Sequence, residues 1–486
     1  MTLNNEQATG HLASRSSLVT PSEIQSTTPT IEMNHPSAPS INQLPSELLA
    51  GIMQLRLEHR HIKGPVLRYP DVLSHVCSHW RQVAVHSRSL WSHIDISAWA
   101  TPGSRAMTFL NRAGPSLLSL HITDNLDRAV GDAVDFVPLL PSIAPRLRLL
   151  ELLARSDELN EHPSALSICL AACTAGNLTE LVLGIIHQYP PIAPIFIKAR
   201  DHRMEAILPT HEVRCWTNVD LPNERLEDIL RDIMVLRLDQ IYPQWTSSAY
   251  CGLVELRLLS GAMANTCIAE YRFINMLRSS PKLRILHFDL TIVDATPLDT
   301  AIADPIALHD LEVLNLDWMQ EDGIEILFRW LTPAPKLFQF SFCPFDSENF
   351  GHPATVAFLA GSNITMLHTN LLSLRGVVSL IDLCHHIRVL ALDDIELNED
   401  TEGTVSFQLD TLYLIESEIK VECLRRMIHP GSVQKLITYH SVFHRDRSAL
   451  LSEEIIVALS DVCSDVLVLP SKGPNPIRRW DAFWNR

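Results

Sequence analysis

Leu283-Arg284-Ile285-Leu286-His287-Phe288 decides how this chain is read: an apolar residue, two others, a leucine, one other, and a further apolar residue. Its last three positions alternate, which is the period of a β-strand that buries every second side chain. The same spacing stands before it at Leu253-Leu256-Leu258 and after it at Leu311-Leu314-Leu316. Farther out it recurs at Leu117-Leu120-Ile122, Leu147-Leu150-Leu152, Leu178-Leu181-Leu183, Ile233-Leu236-Leu238, Leu337-Phe340-Phe342, Ile387-Leu390-Leu392 and Leu409-Leu412-Leu414. Weaker copies lie at Ile364-Leu367-Thr369 and Val433-Leu436-Thr438.

The central residues of the copies are 120, 150, 181, 236, 256, 286, 314, 340, 367, 390, 412 and 436, so successive steps are 30, 31, 55, 20, 30, 28, 26, 27, 23, 22 and 24. A period mostly in the twenties marks a solenoid, in which no unit buries its apolar face alone and each stacks on its neighbours. The doubled step holds either a degenerate copy near Val213 to Trp216 or a long loop containing Pro190, Pro191 and Pro194.

Between the strand-like segments, Ile268 to Leu277, Ile324 to Leu331, Val377 to Cys384 and Ile455 to Val462 carry apolar residues at helical steps of three and four. Ser279-Ser280-Pro281, Pro333-Ala334-Pro335 and Pro430-Gly431-Ser432 then supply helix stops. A strand and a helix per unit, stacked side by side, give a curved parallel sheet with helices behind it. This pattern resembles leucine-rich repeats over most of residues 115 to 470. It departs from them where the family places Asn or Cys, three residues after the third apolar position: Gly261, Met319 and Ser417 stand there.

A second pattern precedes the repeats. Ile41-Asn42-Gln43-Leu44-Pro45-Ser46-Glu47-Leu48-Leu49 opens with a helix-start signature, and Leu48, Ile52 and Leu55 fall on one helical face. Val72, Val76, Trp80 and Val83 then follow at steps of three and four, before Leu90-Trp91 and the strand-like Ile94-Asp95-Ile96. Leu44, Pro45, Glu47 and Leu48, then Val76, Cys77, Trp80, Arg81 and Ala84, then Leu90 and Trp91, together resemble the F-box as it appears in fungal proteins. The connection from Arg56 to Pro70 is longer and more basic than that family's common turn.

The resemblance implies a small all-α module over residues 41–97 that binds the Skp adaptor and, through it, a cullin complex. Its implied contact residues are Leu44, Pro45, Glu47, Leu48, Ile52, Val76, Trp80, Leu90 and Trp91. For Trp80, Leu90 and Trp91 an internal core role competes with the contact role. The expected fold is therefore an α/β solenoid of irregular leucine-rich repeats, residues 98–486 with a C-terminal cap, preceded by that module. Residues 1–40, rich in Ser, Thr, Pro and Asn, are expected to be a disordered leader. Within it, Thr20-Pro21 and Thr28-Pro29 are possible sites for proline-directed kinases or simply linker.

The chain has 486 residues, 46% of them hydrophobic and 20% charged, a composition that supports a large folded core. Its formal charge of −17 opposes binding to nucleic acid or to an anionic membrane surface. No apolar run reaches the ~18 to 20 residues of a membrane helix, and the first residues show no basic start followed by an apolar stretch. Ten cysteines are scattered singly, and the closest pair, Cys169 and Cys173, has no second pair to complete a zinc site. Reduced thiols and a cytoplasmic or nuclear location are expected.

No phosphate-binding glycine loop or Gly-x-Ser-x-Gly elbow occurs, so no catalytic residue, metal or cofactor is expected and the chain is not expected to be an enzyme. His75 and His79 lie one helical turn apart without a companion ligand set, and the adjacent His385 and His386 cannot share a helical face. The acidic run from Asp393 to Asp400 reads as a solvated loop or as a face for basic substrates. The tail Arg478 to Trp484 reads as a cap on the last repeat or as a peptide ligand. Two functions compete: a ubiquitin-ligase adaptor whose repeats select an unknown protein substrate, and a repeat scaffold that binds a partner without degradation.

Overall fold

In the computed structural model of the chain, the central residue of every copy stands on one level of a single sheet. The structure describes residues 44–58, 70–97, 103–123, 137–155, 162–186, 193–201, 215–260, 266–297, 304–317, 319, 321–342, 352–370, 374–397, 408–445, 448–470, 473–477 and 480. It divides into two units, Met1–Pro45 and Ser46–Arg486, and of the first only Leu44 and Pro45 are described. Residues 1–40, with Thr20 and Thr28, lie outside the described residues.

Fourteen strands of the second unit pair in chain order, all parallel, in an open sheet. They are β1 His93–Ser97, β2 Leu118–Thr123, β3 Leu147–Arg155, β4 Glu180–Ile186, β5 Val235–Asp239, β6 Glu255–Leu259 and β7 Ile285–Asp289, then β8 Val313–Leu316, β9 Phe338–Phe342, β10 Ile364–Asn370, β11 Val389–Asp393, β12 Leu409–Ile415, β13 Val433–Tyr439 and β14 Asp465–Leu469. Leu120 is the register partner of Leu150, Leu150 of Leu181, Leu181 of Leu236 and Leu236 of Leu256. The level continues through Leu286, Leu314, Phe340, Leu367, Leu390, Leu412 and Leu436. All twelve are buried. Ile94 and Val466 extend the level by one strand at each end.

Thirteen helices accompany the sheet among the described residues: α1 Ser46–Glu58, α2 Asp71–Ser74, α3 Ser78–His86, α4 Gly103–Ala113, α5 Leu140–Ile143, α6 His162–Ala172, α7 Asn223–Leu230, α8 Glu270–Arg278, α9 Glu321–Trp330, α10 Pro353–Gly361, α11 Leu374–Leu383, α12 Val421–Met427 and α13 Ser452–Leu459. Each crossover helix lays an apolar stripe against the leucine face. On α8, Phe273, Ile274 and Leu277 are buried while Tyr271 is exposed, and Phe273 stacks on Phe288 of β7 at 3.9 Å. Neighbouring crossovers join likewise, with Phe328 of α9 stacked on Phe358 of α10 at 4.3 Å. None of these helices is long and apolar enough to cross a membrane.

Two copies are one residue shorter than their spacing implies. Leu337 is exposed, and Phe338 is buried in its place as the partner of Ile364; a register shift follows immediately. Leu117 is likewise exposed, and Leu118 takes the inward position opposite Leu147 before a shift. A run of two apolar residues hides which of them points inward, because a single bulge exchanges the faces.

At the doubled step the segment near Val213 to Trp216 does not join the large sheet as a copy. The sheet passes directly from β4 to β5. Cys215–Val219, at the position proposed for a degenerate copy, pairs with Ile195–Ala199 in a separate three-stranded sheet completed by Ile241–Tyr242. Pro190 and Pro191 lie outside the described residues.

Several strands end in a left-handed corner. Gln240, Asp394, Glu416 and His440 have φ of 66, 51, 50 and 53°, and each leads from β5, β11, β12 or β13 into a short second strand. At two of these corners a serine hydroxyl stands where the family places asparagine. Buried Ser417 Oγ accepts the N–H of Ile395 at 3.2 Å and donates to Ile415 O at 2.6 Å, and Ser441 Oγ accepts the N–H of Ser417 at 3.2 Å. A serine at this corner therefore bridges to the corner before it, as an amide would.

The helical segment holds a strand as well as helices. β1 lies inside it and is the first strand of the large sheet, and Ser46–Arg486 form one unit. The described tail residues Ile477 and Trp480 pack on the last four strands. Ile477 is buried among Ala391, Ile415 and Tyr439, and Trp480 meets Tyr413 edge-on at 5.5 Å. Ala391 and Tyr413 alternate with the buried leucines, so Ile477 and Trp480 lie on the opposite face of the sheet, in a cluster that reaches Leu469 of the edge strand β14. Phe483 and Trp484 lie outside the described residues.

Candidate partner-binding face

Helix α1 starts directly after Pro45, and Glu47 in its first turn complements the helix dipole. Its apolar residues form two stripes. Leu49 and Met53, four apart, are buried in the core, where α1 packs on α3 and on the turn Arg88–Trp91. Leu48, Ile52 and Leu55, at steps of four and three, are 58%, 48% and 58% exposed. A lone surface leucine needs no explanation, but three in line on one helix form a surface that a partner would remove from water.

Helix α3 is placed by its own first residues. Cys77 Sγ accepts the N–H of Trp80 at 3.5 Å as N-cap, and Arg81 Nε donates to Ser74 O at 2.9 Å, tying α3 to α2. Val72 and Val76, at 49% and 56% exposure, are further exposed apolar residues of the helical segment. Trp80 is half-buried and packs against the core.

Leu90 and Trp91 correct the expected contact set. Both are completely buried, the Trp91 indole N–H donates to Ala84 O at 2.7 Å, and its ring meets Phe109 of α4 edge-on at 5.0 Å. They tie the helices to the sheet and present no surface. Of the remaining expected residues, Glu47, Leu48, Ile52 and Val76 are exposed. Leu44 is half-buried and Pro45 exposed in the first unit. Leu55 and Val72 join the exposed set; spacing signalled both, but the F-box motif did not. Most of the Arg56 to Pro70 connection lies outside the described residues, although α1 runs on to Glu58.

The face of the sheet opposite the leucines carries a second set of polar groups. Arg237 and Arg257 both bond Glu255 Oε1, at 2.6 and 2.5 Å. Burial alone would push the Glu255 carboxyl up, but the two guanidinium groups hold it down at about 2. Farther along, the Ser341 hydroxyl donates to Asp317 Oδ1 at 2.8 Å and lies 2.6 Å from His368 Nδ1, while His368 Nε2 is 3.6 Å from Asp393. With its proton directed to Asp317, Ser341 accepts from the imidazole, the reverse of the arrangement that activates a serine. This row ties strands together. Asp394 and Glu396 of the acidic run are exposed; Asn398 to Asp400 lie outside the described residues.

Among the described residues no group of three or more His, Cys, Asp or Glu side chains is placed to hold a metal ion. Burial pushes the Cys173 and Cys384 thiols up to about 12, far from the thiolate form that attacks or ligates. No protein-family model matches this chain, and no curated protein matches its sequence.

Proposed function

We propose that the chain is a substrate receptor of a Skp-cullin-F-box ubiquitin ligase. Helices α1 to α3 attach it to the Skp adaptor, and a solenoid of irregular leucine-rich repeats selects a protein substrate. The observation that carries this reading is the division of α1 into a buried stripe, Leu49 and Met53, and an exposed one, Leu48, Ile52 and Leu55. The buried stripe completes the core, and the exposed one presents apolar surface suited to a helix-on-helix contact. Each of its residues would contribute ~1 kcal/mol on burial.

The strict chain order of fourteen parallel strands and the recurring left-handed corners support the repeat reading. In this role the protein performs no bond chemistry. It raises the effective concentration of a substrate beside a conjugating enzyme.

Co-purification of the tagged full chain tests the reading. Recovery of Skp adaptor with cullin, lost in the Leu48→Asp, Ile52→Asp double variant, is the expected result. Skp adaptor without cullin favours a scaffold that binds partners without degradation. Recovery of neither, or partners unchanged by the double variant, refutes the F-box reading.

A further inference from the structure

Three guanidinium groups and an imidazole line one open cleft of about 390 Å³ between α2, α3 and α4, in a chain whose formal charge is −17. Arg81 comes from α3, Arg105 and Arg112 from α4, and His75 from the end of α2. Among the described residues Asp71 is the one carboxylate in the wall, and Arg105 Nε holds it at 3.2 Å. Two cations are left over against the sign of the whole molecule.

Both are already fixed in place. Arg81 donates through Nε to Ser74 O, which uses one of its five N–H groups. The Arg112 guanidinium lies over the Trp91 ring at 4.1 Å, which occupies its face and leaves its edge open. Neither makes an ion pair among the described residues. Fixing a guanidinium before the ligand arrives reduces the entropy lost on binding, and its planar fork matches the oxygens of a phosphate or carboxylate. Two unpaired cations match a dianion better than a single carboxylate. Val85, exposed in the same wall, offers apolar contact to the carbon chain that bears it.

We propose that this cleft binds a phosphomonoester carried on a peptide side chain, a phosphoserine or phosphothreonine of a partner protein. A nucleic acid would need a continuous basic track, which a cleft of this size does not supply. The proposal stands apart from whatever the α1 stripe binds.

Fluorescence anisotropy on the full chain tests it, with two labelled glycine-serine peptides that carry either one phosphothreonine or one threonine. The phosphopeptide should bind at least about 10-fold more tightly than its twin, and Arg81→Gln and Arg112→Gln should each weaken it by about 10-fold, as expected for loss of a charge-assisted contact. Asp71→Asn, which removes the competing carboxylate and releases Arg105, should tighten binding, a gain that misfolding cannot produce. Equal binding of the two peptides, or affinity unchanged in both arginine variants, overturns the proposal. So does displacement by inorganic phosphate at concentrations matching the phosphopeptide, or by a short single-stranded RNA at lower ones.

Discussion

The Trp330 indole N–H donates to Glu270 Oε1 at 2.6 Å, joining the last residue of α9 to the first of α8. Arg329 reaches the same oxygen at 2.5 Å, and the backbone and hydroxyl of Thr296 both donate to Oε2 at 2.7 Å. One buried carboxylate thus accepts four donors from two other segments. Removing it strands a buried guanidinium, so Glu270→Ala should cost ~3 to 5 kcal/mol in denaturant unfolding. Glu270→Gln keeps the shape but turns an amide toward donors and should cost ~1 to 3 kcal/mol. Equal stability of both variants and the parent would show that the hub contributes nothing.

Glu255 links stability to acid. Its carboxyl is held at about 2 against an ordinary 4.5, so its contribution is present above pH 4.5 and is lost as pH falls toward 2. The depression corresponds to about 3 kcal/mol. Unfolding measured from pH 7 to 3 should therefore show a steeper acid limb in the parent than in Glu255→Gln. The variant should be weaker at neutral pH, where Arg237 and Arg257 lose their shared partner.

The two stripes of α1 predict opposite responses to the same substitution. Leu49→Ala opens a cavity beneath the helix and should cost ~2 to 5 kcal/mol. Leu48→Ala should change stability by less than ~0.5 kcal/mol. Thermal unfolding of the two variants side by side checks this. A large loss at Leu48 would place that residue in the core and remove the basis of the partner face.

At the shortened copy, Phe338→Ala should cost ~3 to 5 kcal/mol, while Leu337→Ser one residue earlier should be nearly neutral. The comparison reads out the register shift between β9 and β10. The opposite ranking would restore the spacing inferred from sequence.

The corner residue Glu416 is exposed at a φ of 50°. Glu416→Val should destabilise by ~1 to 2 kcal/mol, because a β-branched side chain is strained there. Glu416→Gly should be neutral or slightly stabilising, since the relief of strain offsets the added freedom of the unfolded chain. Equal melting temperatures for the two variants would contradict a left-handed corner.

The sequence by itself determined which residues share a level of the sheet. Leu120 through Leu436 are register partners or lie on the same register line because each strand must bury the same alternate positions, and that requirement is written locally, three or four residues at a time. The helices at Glu270–Arg278, Glu321–Trp330 and Ser452–Leu459 were legible for the same reason, through their 3.6-residue period. So was the exposed stripe of α1, once Leu48, Ile52 and Leu55 were seen in line. Only the tertiary structure decided the rest. Whether Leu337 or Phe338 turns inward depends on a shift against β10, and where Ile195–Ala199 and Cys215–Val219 go depends on a partner strand at Ile241–Tyr242. The assignment of Leu90 and Trp91 to the interior, the return of Trp480 to Tyr413, and the meeting of Arg81 with Arg105 and Arg112 all join segments distant in sequence. A local pattern states what a residue must bury; it carries no record of which distant segment will cover it.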